Sequence, residues 1–237
     1  DLLSKPDIRQ RYESQRPHTL AVNEYYKLFY PLNKGAGDGN LFRFFVERNL
    51  RLLTLHGTLN YVLPTALLTE DGSATLRKAI FEDYSIVAFD GFENRQKIFP
   101  DVDIRYKFGL LQIERVRNSE QKARVRFMLT DPAVLESQKG IFEYGLDDIR
   151  ATSPEFMAYM EVKNGRADLE LLTRFYKQFA PLSSEWIDFR TELHATNDKK
   201  IFLESYQDGY LPLYKGASIW QYNSLFAKPE YWLDEEQ

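Results

Sequence analysis

The sequence predicts an α/β protein: half of a doubly wound, mainly parallel sheet, closed by an antiparallel hairpin and followed by a mixed α+β segment. Three observations predict it. Between residues 41 and 130, helix-periodic stretches alternate with short apolar runs, the pattern of helices laid over a buried parallel sheet. Two strand-like segments, 107–115 and 123–130, flank a polar turn and form the expected hairpin. Past residue 131 the alternation ends in short, aromatic-rich pieces, which sets the expected division at 1–130 and 131–237.

Residues 1–30 read as one or two helices, with Leu2, Leu3, Ile8 and Tyr12 before Pro17 and Leu20, Val22, Tyr25, Tyr26, Leu28 and Phe29 after it. "PLNKGAGDGN" (31–40) is a loop by its Pro, Gly and Asn content, and Asp38 or Asn40 can cap the helix that begins at Leu41. Leu41, Phe42, Phe45, Val46, Leu50 and Leu53 mark that helix as amphipathic, with Gly57 as its stop. "GTLNYVLP" (57–64) and "YSIVAFDGF" (84–92) read as strands buried on both faces. Between them lies a helix with Leu76, Ile80 and Phe81 on one side. Further on, "DPAVLESQ" suits a short helix and "RADLELLTRFYKQF" a longer one. A half-sheet leaves an apolar strand edge, which predicts a homo-oligomer or coverage by the helices of residues 1–30.

Composition narrows the chemistry. The 237 residues include 17 Phe, 15 Tyr, 3 Trp and no Cys, which excludes disulfides and thiolate metal sites. No apolar run is long enough to span a membrane and no signal-peptide layout opens the chain, so no membrane partner is expected. Asp1, not Met, comes first, and the sequence therefore reads as a piece of a longer chain. The net charge is −4, yet from Asn94 to Arg126 nine basic residues (Arg95, Lys97, Arg105, Lys107, Arg115, Arg117, Lys122, Arg124 and Arg126) face only Asp101, Asp103, Glu114 and Glu120. That strip is either an anion-binding surface or a solvated rim. His18, His56 and His194 have no metal-ligand spacing, and His56 suits a helix terminus. "KGAGDGN" fits neither a phosphate-loop nor a dinucleotide fingerprint, and no serine-nucleophile motif occurs.

Three stretches carry a resemblance: "GDGNLFRFFVERNLRLLTLHGTLNYVLPTALLTEDGSATLRKAIFED", "FENRQKIFPDVDIRYKFGLLQIER" and "LPLYKGASIWQYNSLFA". Together they resemble large Eco57I-like (type IIG) restriction-modification DNA adenine-N6 methyltransferases over roughly residues 30–227, most strongly over 38–114. The resemblance implies the C-terminal half of a Rossmann-like methyltransferase sheet, followed by a mixed segment leading to target recognition. It implies methyl transfer from S-adenosylmethionine to N6 of a flipped adenine in double-stranded DNA, in the bacterial cytoplasm. The family's Asn-Pro-Pro-Tyr tetrapeptide and cofactor glycine turn are absent from this sequence, so no catalytic residue is assigned and the piece is expected to be inactive alone.

The resemblance also implies roles for particular residues. Asn40, Phe45 and Pro64 correspond to cofactor-proximal positions, and Phe99 in "KIFPDVD" to the aromatic that stacks on the target base. Arg95, Lys97, Arg105 and Lys107 are the candidate DNA-phosphate contacts. Each has an ordinary alternative: core burial for Phe45, strand termination for Pro64, and for Phe99 a ring tucked under its loop while Arg105 pairs with Asp101 or Asp103. A different class of function, a non-catalytic DNA-binding or scaffold module of a multisubunit system, accounts for the same missing motifs.

Overall fold

The computed structural model describes residues 5–33, 39–116, 120, 122–179, 193–223 and 225–234. It divides into two compact units, Asp1–Pro181 and Leu182–Gln237. The first holds helices α1 (Pro6–Phe29), α2 (Leu41–Leu52), α3 (Ala66–Thr69), α4 (Ala74–Asp83), α5 (Leu146–Thr152) and α6 (Arg166–Gln178). Its strands are β1 (Thr58–Pro64), β2 (Ser85–Glu93), β3 (Lys107–Glu114), β4 (Lys122–Leu129) and β5 (Phe142–Gly145). The second unit contains the antiparallel pair β6 (Tyr210–Leu213) and β7 (Tyr231–Asp234).

The sheet is mixed, in the order β1-β3-β2-β4-β5. The hairpin expected from 107–115 and 123–130 does not form. Instead β3 lies between β1 and β2, antiparallel to both, and β4 pairs with β2 in parallel. The reason is burial: Gly109, Leu111 and Ile113 of β3 are covered, and the run "FGLLQI" gains more as a central strand than as half of an edge hairpin.

The strands read as buried on both faces are covered on one. Val46 and Leu50 of α2, Leu67 and Leu68 of α3, and Leu76 and Ile80 of α4 join Leu63, Ile86, Phe89, Leu111, Ile113 and Val125 in one core. On the opposite face Val62 is 56% exposed, and Asn60, Ala88, Asp90, Leu110 and Gln112 line a shallow trough with it. β1 is an edge strand, but three of the four strand pairs are antiparallel, so the sheet is not the mainly parallel half-sheet that was expected.

Three local readings change. Pro17 lies inside one continuous helix, α1, which has no buried residue. With no packed neighbour fixing its path, the turn lacking an N–H is exposed to solvent and can bend. α1 is anchored at its C-terminal end, where Tyr26 stacks on Phe44 at 4.5 Å and 9°. α2 ends before Leu53, and the left-handed position beyond it belongs to His56 (φ 61°), not to Gly57. The main-chain N–H of His56 donates to the Arg115 carbonyl, which fixes the entry to β1.

The 130/131 boundary falls inside the first unit. β5 extends the sheet beside β4, and Arg166 ties α6 to α5 through Asp148 at 2.7 Å. The main-chain N–H of Tyr159 donates to the Leu68 carbonyl, returning the 153–162 segment to α3. Arg77 of α4 strengthens that return: its buried guanidinium donates to the carbonyls of Leu67, Glu70 and Phe156. Burial pulls its pKa down to about 10.

Candidate functional site

The site is built where β1 and β2 end and β3 begins. Pro64, Phe108 and Phe92 are cross-strand neighbours at this carboxyl edge, on the open face of the sheet. Phe108 stacks on buried Phe92 at 5.3 Å and 9°, and Phe99 meets Phe108 edge-on at 4.9 Å and 88°. A groove of about 690 Å³ opens in front of these rings, with Val62, Pro64, Val102, Tyr106 and Lys107 completing its walls.

Asn94, which the sequence reading passed over, holds the loop. It is fully buried directly after β2. Its Nδ2 donates to the Phe99 and Val102 carbonyls, both at 2.9 Å, and its Oδ1 accepts from the Phe99 N–H at 3.0 Å. Its main-chain N–H donates to the Tyr106 carbonyl. One side chain therefore closes a loop that has little core of its own. An Asn at the end of a strand and ahead of a charged loop was the available signal.

Phe99 is 40% exposed, neither sealed in the core nor free of it. Its main chain is pinned on both sides by Asn94, while one part of its ring faces the groove. Pro64 and Lys107 line the same groove. Asn40 and Phe45 are not among its lining residues. Asn40 caps α2 by accepting from the Phe42 N–H. Phe45 is 59% exposed on α2, so the core-burial alternative does not describe it.

The basic candidates are mostly engaged. Arg95 pairs with Glu93, Lys107 with Glu161, and Arg105 with Asp103. Lys97 adopts a left-handed conformation (φ 52°) after the short turn of helix at 94–96 and has no ion pair among the described residues. Arg117, Asp38 and most of the "KGAGDGN" loop lie outside the described residues. Among the described residues, no group of three or more His, Asp or Glu side chains is arranged to hold a metal.

The Asp103–Arg105 turn forms one rim of the groove and is internally neutralised. Asp103 accepts from the Arg105 guanidinium at 2.9 and 3.0 Å and from its main-chain N–H at 2.8 Å. Those bonds hold its pKa down to about 2, against an ordinary 3.8. The folded-state value is depressed, so the stabilising contribution of this turn is complete above about pH 4 and is lost as pH falls through 2. Carboxyl 13C NMR should therefore show Asp103 titrating near 2, and Arg105→Ala should return its midpoint toward 3.8. An unchanged midpoint in that variant contradicts the assignment.

No helix among the described residues is long and apolar enough to cross a membrane. No family model and no curated protein matches the chain. Among solved structures, one similar chain is a protein from Vibrio vulnificus YJ016, assigned as a modification subunit of a type I restriction enzyme. The likeness has a TM-score of 0.37 and 14% identity, and covers 54% of this chain and 33% of that one. The chain thus spans about a third of that subunit's length, and a likeness this slight assigns neither family nor function.

Proposed function

We propose that this chain is the C-terminal part of the catalytic region of a restriction-modification DNA adenine-N6 methyltransferase, with a following segment that leads to target recognition. In this reading the groove at the carboxyl edge of β1 and β2 receives a flipped adenine, and Phe99 packs against the base. The observation that carries the reading is the state of Phe99: a half-exposed ring, positioned by buried Asn94, on the wall of a mainly apolar groove. Extruded bases need such a surface, and an aromatic partner contributes roughly 1–3 kcal/mol per base. Of the cationic candidates Lys97 is the most available for a phosphate, since Arg95, Arg105 and Lys107 would first have to leave their carboxylates.

S-adenosylmethionine, when bound to such an enzyme, supplies the methyl group. This chain offers it the exposed ring of Phe45 as a packing face, while the side chain of Asn40 is occupied by capping. Cofactor binding by this chain alone is accordingly weak or absent, and the methyl transfer belongs to residues outside it.

Two measurements on the isolated chain test the proposal. With duplex DNA and labelled S-adenosylmethionine, no methyl transfer above background is expected, and turnover contradicts the division of labour. Fluorescence of 2-aminopurine deoxynucleotide should be quenched on binding. Phe99→Ala should weaken that binding between about five-fold and a hundred-fold, and Phe99→Trp should retain it. Equal binding by wild type and Phe99→Ala contradicts the base-stacking role.

A further inference from the structure

The loop that carries Phe99 is fixed by polar bonds and shows its apolar side chains to solvent. From Arg95 to Tyr106 every residue except Ile98 is exposed. Phe99, Val102, Ile104 and Tyr106 all stand outward, at 40, 37, 48 and 63%. Leaving apolar surface in water is unfavourable, so burial of these groups is not what holds the loop.

Its fixed centre is an amide. Three short turns make up the loop, closed by main-chain bonds from Lys97 to Asn94 at 2.9 Å, from Val102 to Phe99 at 3.1 Å and from Tyr106 to Asp103 at 3.0 Å. The Asn94 side chain joins the first turn to the second. Its Nδ2 gives one hydrogen to the Phe99 carbonyl and one to the Val102 carbonyl, and its Oδ1 takes the Phe99 N–H. The main-chain N–H of the same residue reaches the Tyr106 carbonyl at the far end of the loop, at 2.9 Å. Phe99, Val102 and Tyr106, the three residues held in this way, all line the groove. Asn94 is fully buried in the groove's wall and has no side-chain hydrogen left to donate to a ligand. Whatever it does for a ligand it does through the loop.

We infer that Asn94 is the positioning residue of the base site: its amide fixes the Phe99 ring at the groove wall before a base arrives. The inference rests on the reading of the groove as a flipped-base site. A ring on a free loop would have to be ordered at each binding event, and a preset ring does not carry that cost. The role needs an amide in particular. Aspartate has the same shape and can accept from the Phe99 N–H, but as a carboxylate it has no hydrogen for either carbonyl.

Hydrogen exchange and binding of 2-aminopurine deoxynucleotide to the full chain test it together. The Phe99 N–H should exchange slowly without nucleotide and gain little protection when nucleotide is added. Asn94→Ala should speed that exchange and weaken nucleotide binding about ten-fold. Asn94→Asp should weaken binding similarly, because the donors are lost although the volume is kept. Since Asn94 acts through Phe99, adding Asn94→Ala to Phe99→Ala should weaken binding further by less than about two-fold. A general defect of folding would weaken both backgrounds alike.

Three results overturn the inference. The first is a Phe99 N–H that exchanges freely until nucleotide is added, which would mean that the loop orders on binding. The second is an Asn94→Ala chain that binds like wild type, and the third is a pair of losses that simply add. The first needs only wild-type protein, so the test holds even where a variant fails to fold. Binding weakened by Phe99→Ala but kept in Asn94→Ala removes the role of Asn94 alone. Equal binding by wild type and Phe99→Ala removes the base site itself, and this inference with it.

Discussion

Arg77→Met should destabilise the first unit by about 3 kcal/mol or more, since each hydrogen bond from a charged donor contributes about 1.5–3 kcal/mol. The guanidinium is fully buried and donates to Leu67 at 2.8 Å, Glu70 at 2.6 Å and Phe156 at 2.8 and 3.2 Å. Methionine fills much of the volume but leaves those carbonyls without their donor in the interior. Relief from burying a charge offsets part of the loss, and desolvation is the main cause of this residue's lowered pKa. For a domain of this size the melting temperature should fall by roughly 10 °C. Arg77→Lys should recover only part of it, because an ammonium cannot reproduce the fork that reaches three carbonyls. A shift below about 2 °C for Arg77→Met would show that the 153–162 segment is held without this residue.

Gly109→Ala is the second large effect, and its cause is steric. A Cβ at residue 109 would lie 2.2 and 2.6 Å from two atoms of the Phe89 ring, and one at residue 91 would lie 3.1 Å from another. Gly109 and Gly91 are register partners on neighbouring strands, so they form a flat floor on which fully buried Phe89 rests. A methyl group there forces that ring off its site, for about 1–3 kcal/mol of overpacking. Phe89→Leu alone should also destabilise, through lost contact and a cavity. The double variant should be more stable than the sum of the two losses, by roughly 0.5–3 kcal/mol of coupling. Additive losses would mean that ring and glycine do not share the space. Urea denaturation of the four proteins decides between these outcomes.

The elements were more legible than their arrangement. α2, α4 and α6 announce themselves because apolar residues recur in each at helical spacing, and the structure buries Val46 and Leu50, Leu76 and Ile80, and Leu169, while Leu41, Phe45, Leu171 and Phe175 stay exposed. β5, β6 and β7 fell in a stretch read only as mixed and short-stranded, whereas β1 to β4 were placed to within a residue. Their order was not, because periodicity tells which residues turn inward and not which strand lies alongside. The glycines in "FDGF" and "KFGLL" did carry a sign of close approach by another group, and Phe89 is that group. Pro17 did not end the helix: α1 runs through it with no buried residue, so the carbonyl that loses its N–H partner there is hydrated rather than left unpaired in a core.

The site was legible in part. Pro64, Phe99 and Lys107 come together on one groove, although 35 residues separate Pro64 from Phe99. The charge count of the basic strip did not foretell that Arg95, Arg105 and Lys107 would each find a carboxylate. Asn94 escaped notice because its role lies in where its amide points, which spacing does not reveal.

The most direct test of the proposed function is where an adenine rests on this chain. Intermolecular nuclear Overhauser effects, measured between deoxyadenosine monophosphate and the 13C-labelled protein, report that position. Base stacking in the groove predicts contacts from purine H2 and H8 to ring protons of Phe99 and to Pro64 at the groove wall, all lost in Phe99→Ala. Contacts confined to other surfaces, or a pattern that survives removal of the Phe99 ring, would contradict it.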